Sequence, residues 1–376
     1  MFKAIFGFLP FVFCAGAVFA FVRPARMGVR AQAVWTMLLT ACAAKFVCFE
    51  AFGGDAFAPE LPEAVIWAWG WAYSGMCILF AVSAAWQILH FATRGLVPQG
   101  RGPLWLAGVP AFAWALAAIG VWNGIKAPAV KEIELPFDGL PAALDGYRIL
   151  QISDLHVSAA ATRRRTLAVV AAANAAEADL VCLTGDYVDG MASEQGRNLE
   201  PLKDLKAKDG VFAVTGNHEY YFDYPGWTAL YHRWGIRFLA NECVFPRPGL
   251  AVGGVDDIVC GRLGIQPPDP AAAFAAATNG EFRVFLQHRP WADYRLYTGR
   301  DDTTPRDLQL SGHTHGGIAP VLSSLIGRFN RGLVRGLYST GQAKALYVSP
   351  GAGQWAGFPV RFFNDPEITV FTLRRR

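Results

Sequence analysis

The sequence predicts an α/β (α+β) layered domain preceded by four transmembrane helices. Charge is the first observation. Of the 64 Lys, Arg, Asp and Glu residues, only eleven, seven basic and four acidic, fall between Met1 and Ile125. Within that stretch lie four runs nearly free of polar groups, about residues 4–22, 31–49, 64–89 and 103–122. Each is long enough, at about 1.5 Å per residue, to cross most or all of a hydrocarbon core of ~30 Å. From Lys126 the texture changes: short apolar runs alternate with alanine-rich stretches, punctuated by Gly, Pro and Asp. That alternation is how strands and helices packed in layers read. The chain therefore divides into a membrane region, residues 1–125, and a globular domain, residues 126–376.

Composition narrows the function classes. The apolar excess, 53% hydrophobic residues and a mean hydropathy of +0.25, is concentrated in the first region. The remaining 53 charged residues split into 27 basic and 26 acidic. A near-neutral domain lacks the basic excess that phosphate backbones attract, so no nucleic-acid partner is expected. The first run sits where a signal peptide would, but three more spans follow and no small-residue cleavage site precedes them. Seven cysteines show no C-x-x-C spacing. Most read as small buried hydrophobes, and a Cys243–Cys260 pairing is left open.

Loop charge orients the spans. Arg23, Arg26 and Arg30 lie in the first loop and Arg94 and Arg101 in the third, while the second carries Glu50, Asp55, Glu60 and Glu63 with no basic residue. Positive loops stay in the cytoplasm, which places residues 126–376 on the extracytoplasmic side of the cell (inner) membrane. Trp67, Trp69 and Trp71, and on the other side Trp86 and Trp105, fit interfacial belts. Lys45, inside the second span, and Glu50, just after it, are expected to snorkel to an interface rather than form a functional pair.

In the globular part, Val130 to Leu135 and Tyr147 to Ile152 read as paired strands around a Pro-Phe-Asp-Gly turn region. Thr162 to Ala178 reads as a helix with a threonine N-cap, and Leu180 to Leu183 as a buried strand. Val211 to Val214, Leu250 to Val255, Phe282 to Leu286, Leu308 to Leu310, Leu346 to Ser349 and Ile368 to Leu373 are further strands. There is no internal repeat.

The chemistry gathers where apolar runs end. Ile149 to Ile152 runs into Ser153-Asp154-Leu155-His156, Leu180 to Leu183 into Thr184-Gly185-Asp186-Tyr187-Val188-Asp189, and Val211 to Val214 into Thr215-Gly216-Asn217-His218-Glu219. Val284 to Leu286 runs into Gln287-His288-Arg289-Pro290, and Leu308 to Leu310 into Ser311-Gly312-His313-Thr314-His315. Sites in layered domains collect at the carboxyl ends of strands. Five of the seven histidines lie in these strand-end clusters. Accompanied there by Asp154, Asp186 and Asn217, they suit metal ligation better than a scatter of surface histidines would. His90 and His232, outside the clusters, read as surface or satisfied residues.

In order along the chain, Asp154-x-His156, Gly185-Asp186-x-x-Asp189, Gly216-Asn217-His218-Glu219, the lone His288 and Gly312-His313-x-His315 resemble the motif series of the calcineurin-like metallophosphoesterases. The likeness runs from about Val130 to the C-terminus. Its tail, Pro350 to Gly353 and Pro366 to Ile368, is similar to the membrane-attached bacterial branch. That branch often has Gln after the Gly-Gly pair, where this chain has Ile318, outside the ligand set. The resemblance implies two facing β-sheets flanked by helices. It also implies one divalent ion on Asp154, His156, Asp186 and His315 and a second on Asp186, Asn217, His288 and His313, with Asp186 bridging. Mixed His/Asp/Asn ligation suits Mn, Fe or Zn better than Ca.

The same resemblance implies hydrolysis by in-line attack of a metal-bridging hydroxide, with His218 contacting the phosphoryl oxygen or protonating the leaving group. Asp189 and Glu219 are expected to orient ligating imidazoles. Arg328, Arg331, Arg335 and Arg361 could hold a second phosphate or an anionic headgroup, or could be solvated. The segment Val321 to Leu337, apolar between its arginines, could receive lipid tails. The expected function is a membrane-anchored dimetal phosphoesterase cleaving a phosphodiester or pyrophosphate bond of a lipid-linked or envelope substrate. The alternatives are a lipid A enzyme of the UDP-2,3-diacylglucosamine pyrophosphatase type and a non-catalytic phospho-ligand sensor in the membrane.

Overall fold

The computed structural model describes residues 2–357 and 359–376. Met1 and Phe358, which fall inside the expected domains 1–125 and 126–376, lie outside the described residues. The chain forms two compact units, Met1–Gly124 with Trp355–Arg361, and Ile125–Gln354 with Phe362–Arg376.

The first unit is helical. Ile5–Val22, Glu63–Ala92 and Leu104–Ile125 are long and apolar enough to cross a membrane. The expected second span, residues 31–49, is not one straight helix: Val29–Ala43 and Lys45–Gly53 meet at 53°. Among the described residues, the helices long and apolar enough to cross therefore number three, or four if the bent pair is one crossing. Just after the break sits Lys45, fully buried. Its Nζ donates to Ala356 O at 2.6 Å and lies 4.4 Å from the Phe46 ring centroid. An ammonium among apolar helices must find acceptors, and backbone carbonyls with aromatic faces supply them. The expectation of snorkelling is thus corrected, while Glu50 separately accepts from Ala56 N at 2.8 Å.

The second unit holds twelve strands: β1 (Ala129–Phe137), β2 (Arg148–Ile152), β3 (Leu180–Thr184), β4 (Val211–Val214), β5 (Arg237–Phe238), β6 (Glu242–Arg247), β7 (Leu250–Gly254), β8 (Phe282–Leu286), β9 (Arg306–Ser311), β10 (Gly336–Tyr338), β11 (Ala343–Val348) and β12 (Glu367–Arg375). They form two six-stranded sheets, ordered β1-β12-β2-β3-β4-β5 and β10-β11-β9-β8-β7-β6. Alternation along the strands builds two cores. Ile149, Leu180, Cys182 and Val214 of the first sheet meet Val252, Val284, Leu308 and Leu310 of the second. The opposite side chains, Leu150, Ile152, Val181 and Leu183, pack under Val169 and Val170 of the helix Arg163–Ala175. Strands buried on both faces read as continuous apolar runs, which is why they were visible in the sequence.

Two local expectations change, and the open Cys243–Cys260 pairing is answered. β1 and β2 do not pair, because β12 lies between them, parallel to β1 and antiparallel to β2. Thr162 occupies the N-cap position of its helix without a side-chain cap hydrogen bond, and that helix ends at Ala175. Cys243 and Cys260 are both free thiols.

β2, β3 and β4 run parallel to one another, as do β7, β8 and β9. Gln151 links the sheets, its Nε2 donating to Ser311 O and to Thr184 Oγ1, both at 2.9 Å.

Candidate metal centre

The loops following β2, β3, β4, β8 and β9 bring the predicted ligand residues together. Asp154, His156 and His315 have donor atoms within 4.8 Å of one another, and so do Asp186, His288 and His313. Asp186 lies between the two sets, its Oδ2 3.1 Å from His288 Nε2 and 3.9 Å from His156 Nε2. His156 Nε2 and His315 Nε2 approach to 3.0 Å, and His313 Nδ1 and His288 Nε2 to 3.2 Å. Paired imidazole nitrogens at such range want a cation between them.

Local backbone aims these side chains. Asp154, His156, Asp186, His313 and His315 all have positive φ, between 47° and 73°. Left-handed conformations cost non-glycine residues of order 1–3 kcal/mol each and persist where the surroundings enforce them. Here neighbouring loops do the enforcing. Asp154 N donates to Gly185 O at 3.0 Å, His156 N to Asp186 O at 3.1 Å, and His313 N to Asp154 Oδ1 at 3.1 Å. Gly312 and Gly216 permit the close approach: a Cβ at Gly312 would fall on Asp154 Oδ2, and one at Gly216 on Asp186 Oδ1.

Hydrogen bonds also set which nitrogen each ring presents. His288 Nδ1 donates to Thr184 O at 2.8 Å, leaving Nε2 for the centre. Asp189 Oδ1 accepts from His156 Nδ1 at 3.0 Å and from His218 Nδ1 at 2.6 Å, so both rings turn Nε2 inward. Asp189 thus orients imidazoles, as expected. Glu219 does something else: its carboxylate accepts from the backbone amides of Gly216, Asp186 and Tyr187 at 2.7–3.1 Å, fixing the loop that carries Asp186.

Burial and neighbours push the titrations apart. Burial raises Asp154, with His288 opposing and Asp186 reinforcing the shift. Burial also acts to raise Asp186, but His288, His218 and His156 hold its carboxyl well below the usual range. His218 is pushed up to about 9 and His288 to about 10, burial being outweighed in both by nearby carboxylates, Asp186 foremost. Burial together with Arg289 and His288 holds His313 well below the ordinary imidazole value.

Among the described residues one guanidinium, that of Arg289, meets the predicted ligand side chains, and for Arg331, Arg335 and Arg361 the structure shows other surroundings. Arg289 is anchored by Nε to Asp257 Oδ2 at 2.7 Å and reaches His313 Nε2 at 3.2 Å and Asn217 Oδ1 at 3.4 Å. Its position directly after His288 was the available signal. Arg331 instead lies 4.1 Å from the Trp291 ring centroid, Arg335 donates to Phe363 O at 2.7 Å, and Arg361 is buried within the helical unit.

Asp and His donors, buried except for half-buried His313 and His315, lie in two sets around one shared carboxylate and fit two divalent ions of the Mn, Fe or Zn type. The family model for calcineurin-like phosphoesterases matches residues 147–317. A zebrafish (Danio rerio) transmembrane protein with metallophosphoesterase domain is 33% identical over 69% of this chain and 60% of its own length. The cattle (Bos taurus) protein of that name is 31% identical over 80% of this chain and 70% of its own. An uncharacterized Helicobacter pylori metallophosphoesterase is 31% identical over 68% and 66%. Among solved structures, a dimetal phosphatase from Danio rerio aligns at a TM-score of 0.34 and 12% identity, covering 55% of this chain and 88% of its own. Motif order, the clustered donor residues, the matching family model and the cattle relative lead to one conclusion: the chain belongs to the calcineurin-like metallophosphoesterases, a family of metal-dependent phosphohydrolases with dinuclear divalent-metal centres.

Proposed function

We propose that the chain is a membrane-held phosphodiesterase or pyrophosphatase, with one ion on Asp154, His156, Asp186 and His315 and the other on Asp186, Asn217, His288 and His313. The position of Asp186 between the two donor sets carries this reading. When bound, such ions supply Lewis acidity, polarising phosphoryl oxygens and making a water nucleophilic at neutral pH. The protein's own groups do the rest. His218 is oriented by its Nδ1 hydrogen bond to Asp189, and the Asp186 and Asp189 carboxylates push its pKa up, so that when protonated it presents an N–H on Nε2. That donor suits a phosphoryl oxygen or the leaving-group oxygen. Arg289, oriented by Asp257, is placed to hold a further phosphoryl oxygen.

The substrate proposed is lipid-linked or otherwise part of the envelope. The helix Pro320–Phe329 supports this: Leu322, Leu325 and Phe329 are exposed beside Arg328, the composition of a segment that rests on a bilayer of anionic lipid. The catalytic unit is proposed to face outward from the inner membrane. Were Val29–Gly53 a re-entrant loop, the arginine-bearing first loop and the acidic second loop would share a side, against the charge rule. A single bent crossing keeps them apart. An outward domain also disfavours the cytoplasm-facing lipid A pyrophosphatase reading.

Two measurements test the proposal. Detergent-solubilised chain, stripped of metal and then given Mn, should hydrolyse bis-p-nitrophenyl phosphate and turn over a long-chain lipid pyrophosphate with the higher kcat/KM. Two bound ions without hydrolysis of any phosphoester would establish the sensor instead. A C-terminal reporter active only in the cytosol would reverse the orientation.

A further inference from the structure

A second polar cavity, of about 310 Å3, opens beside β8, β9 and β11, and none of the seven ligand side chains lines it. Gln287, Gln309 and Leu346 come from the ends and middle of those strands, and the rest of the lining comes from residues 290–306 and 331–342. Arg306, the first residue of β9, is the unusual member. It is 5% exposed, its guanidinium lies 4.5 Å from the Phe285 ring centroid, and its Nη2 is bound to the Asp302 carboxylate. Its Nε and Nη1 are buried with no hydrogen-bond partner. The hydroxyl of Tyr294, a residue 4% exposed in the same lining, is likewise without a partner.

Three buried donors without acceptors are an unfavourable arrangement for a folded chain unless something else satisfies them. Nearby carboxylates are already engaged: Arg295 Nε takes Asp293 at 3.1 Å and Asp301 at 3.2 Å, and Asp302 is taken by Arg306 itself. Arg331, stacked on Trp291, joins Arg295 and Arg306 as a third guanidinium in the lining. A guanidinium only donates, so its ligand must accept, and an anionic oxygen accepts more strongly than a neutral hydroxyl. We propose that this cavity binds the oxyanion group of a small molecule, a phosphate or a carboxylate, through Arg306 and Tyr294. The proposal does not depend on how the metal centre is read.

Calorimetric titration of the full-length, metal-loaded chain with inorganic phosphate tests it, with malonate as the carboxylate arm. The expected isotherm contains a class of site that Arg306→Met weakens about tenfold or more and Tyr294→Phe by a few-fold, as loss of a charged and a neutral hydrogen bond predicts. Hydrolysis of bis-p-nitrophenyl phosphate should stay unchanged in both variants. Malonate competing for that class would identify a carboxylate ligand, and phosphate alone filling it would identify a phosphate. Identical isotherms for wild type and Tyr294→Phe, or binding of neither anion outside the metal centre, would overturn the proposal. Tyr294→Phe keeps the test valid even if Arg306→Met does not fold.

Discussion

Replacing His218 by Asn separates catalysis from metal retention. In the wild type His218 Nδ1 donates to Asp189 Oδ1 at 2.6 Å, and Nε2 stands 3.9 Å from Asp186 Oδ2. Asparagine removes the proton that Nε2 presents, while Asp189 keeps its 3.0 Å bond from His156. The proposed ligand side chains are untouched, so two equivalents of metal should remain by elemental analysis. A positioned general acid contributes roughly 10²–10⁴-fold, about 3–5 kcal/mol of barrier. That contribution matters most when the leaving group is a basic alkoxide and least when it is a stable anion such as nitrophenolate. The expected result is a fall in kcat of that size for an alkyl phosphodiester and a much smaller one for a nitrophenyl ester. Equal losses on both substrates would leave His218 as a phosphoryl-oxygen contact only. Loss of metal along with turnover would refute the catalytic role altogether.

Other perturbations follow from the same geometry. Gly312→Ala drives a Cβ into Asp154 Oδ2 and should destabilise the metal-loaded protein by about 1–3 kcal/mol, read as a fall in Tm together with lost metal; unchanged Tm and metal content would contradict it. Arg289→Met should raise KM for a phosphodiester about tenfold or more while metal content holds, whereas a kcat effect alone would remove it from substrate binding. pH should act oppositely on stripped and loaded protein. In the stripped protein, His218 and His288 have folded pKa values, about 9 and about 10, above the ordinary value of 6.5. The stability they contribute is therefore full below about pH 6.5 and lost as pH rises through 9 to 10. Metal binding needs neutral imidazoles, so the Tm gain on adding Mn should grow over that window, and a gain that shrinks would contradict the ligand assignment.

How much was legible in the sequence depended on how local each cause was. Strands such as Leu180–Thr184, buried on both faces, leave an apolar run whose polar terminus marks the site, so five strand ends could be read off directly. The β12 strand, which separates β1 from β2, was visible as a strand, but its partners lie more than 200 residues away in sequence. No local pattern records that placement. β5 and β10 span only two and three residues, and β6 has a single buried residue, so these strands leave almost no apolar signature. The bend beside Lys45 was hidden because hydropathy counts one charge in a long span and cannot see the carbonyl of Ala356 waiting for it. Glu219 was misread for a related reason: a carboxylate beside a histidine motif suggests an imidazole partner, yet backbone amides of another loop claimed it.

The two halves of the centre are not independent pieces, and their hydrogen bonding says how they are tied. The loop bearing Asp154 is bonded through its amide to Gly185 O, and through its carboxylate to the amide of His313, a residue of the other donor set. Asp186 in turn accepts from His218 N at 2.9 Å, in the loop that carries Asn217. Five of the seven proposed ligand residues sit in left-handed conformations that cross-loop bonds help to hold, so releasing one loop relaxes its neighbours. Asp154→Asn should consequently weaken both ions, although Asp154 is assigned to only one of them. The neutral side-chain amide is a poorer ligand and a poorer acceptor for the backbone N–H of His313, the residue whose imidazole Nδ1 faces His288. Stepwise metal titration reads the outcome. Loss of one equivalent with the second unchanged in affinity would show two separable sites, whereas coupled weakening is what a centre folded as one hydrogen-bonded element requires.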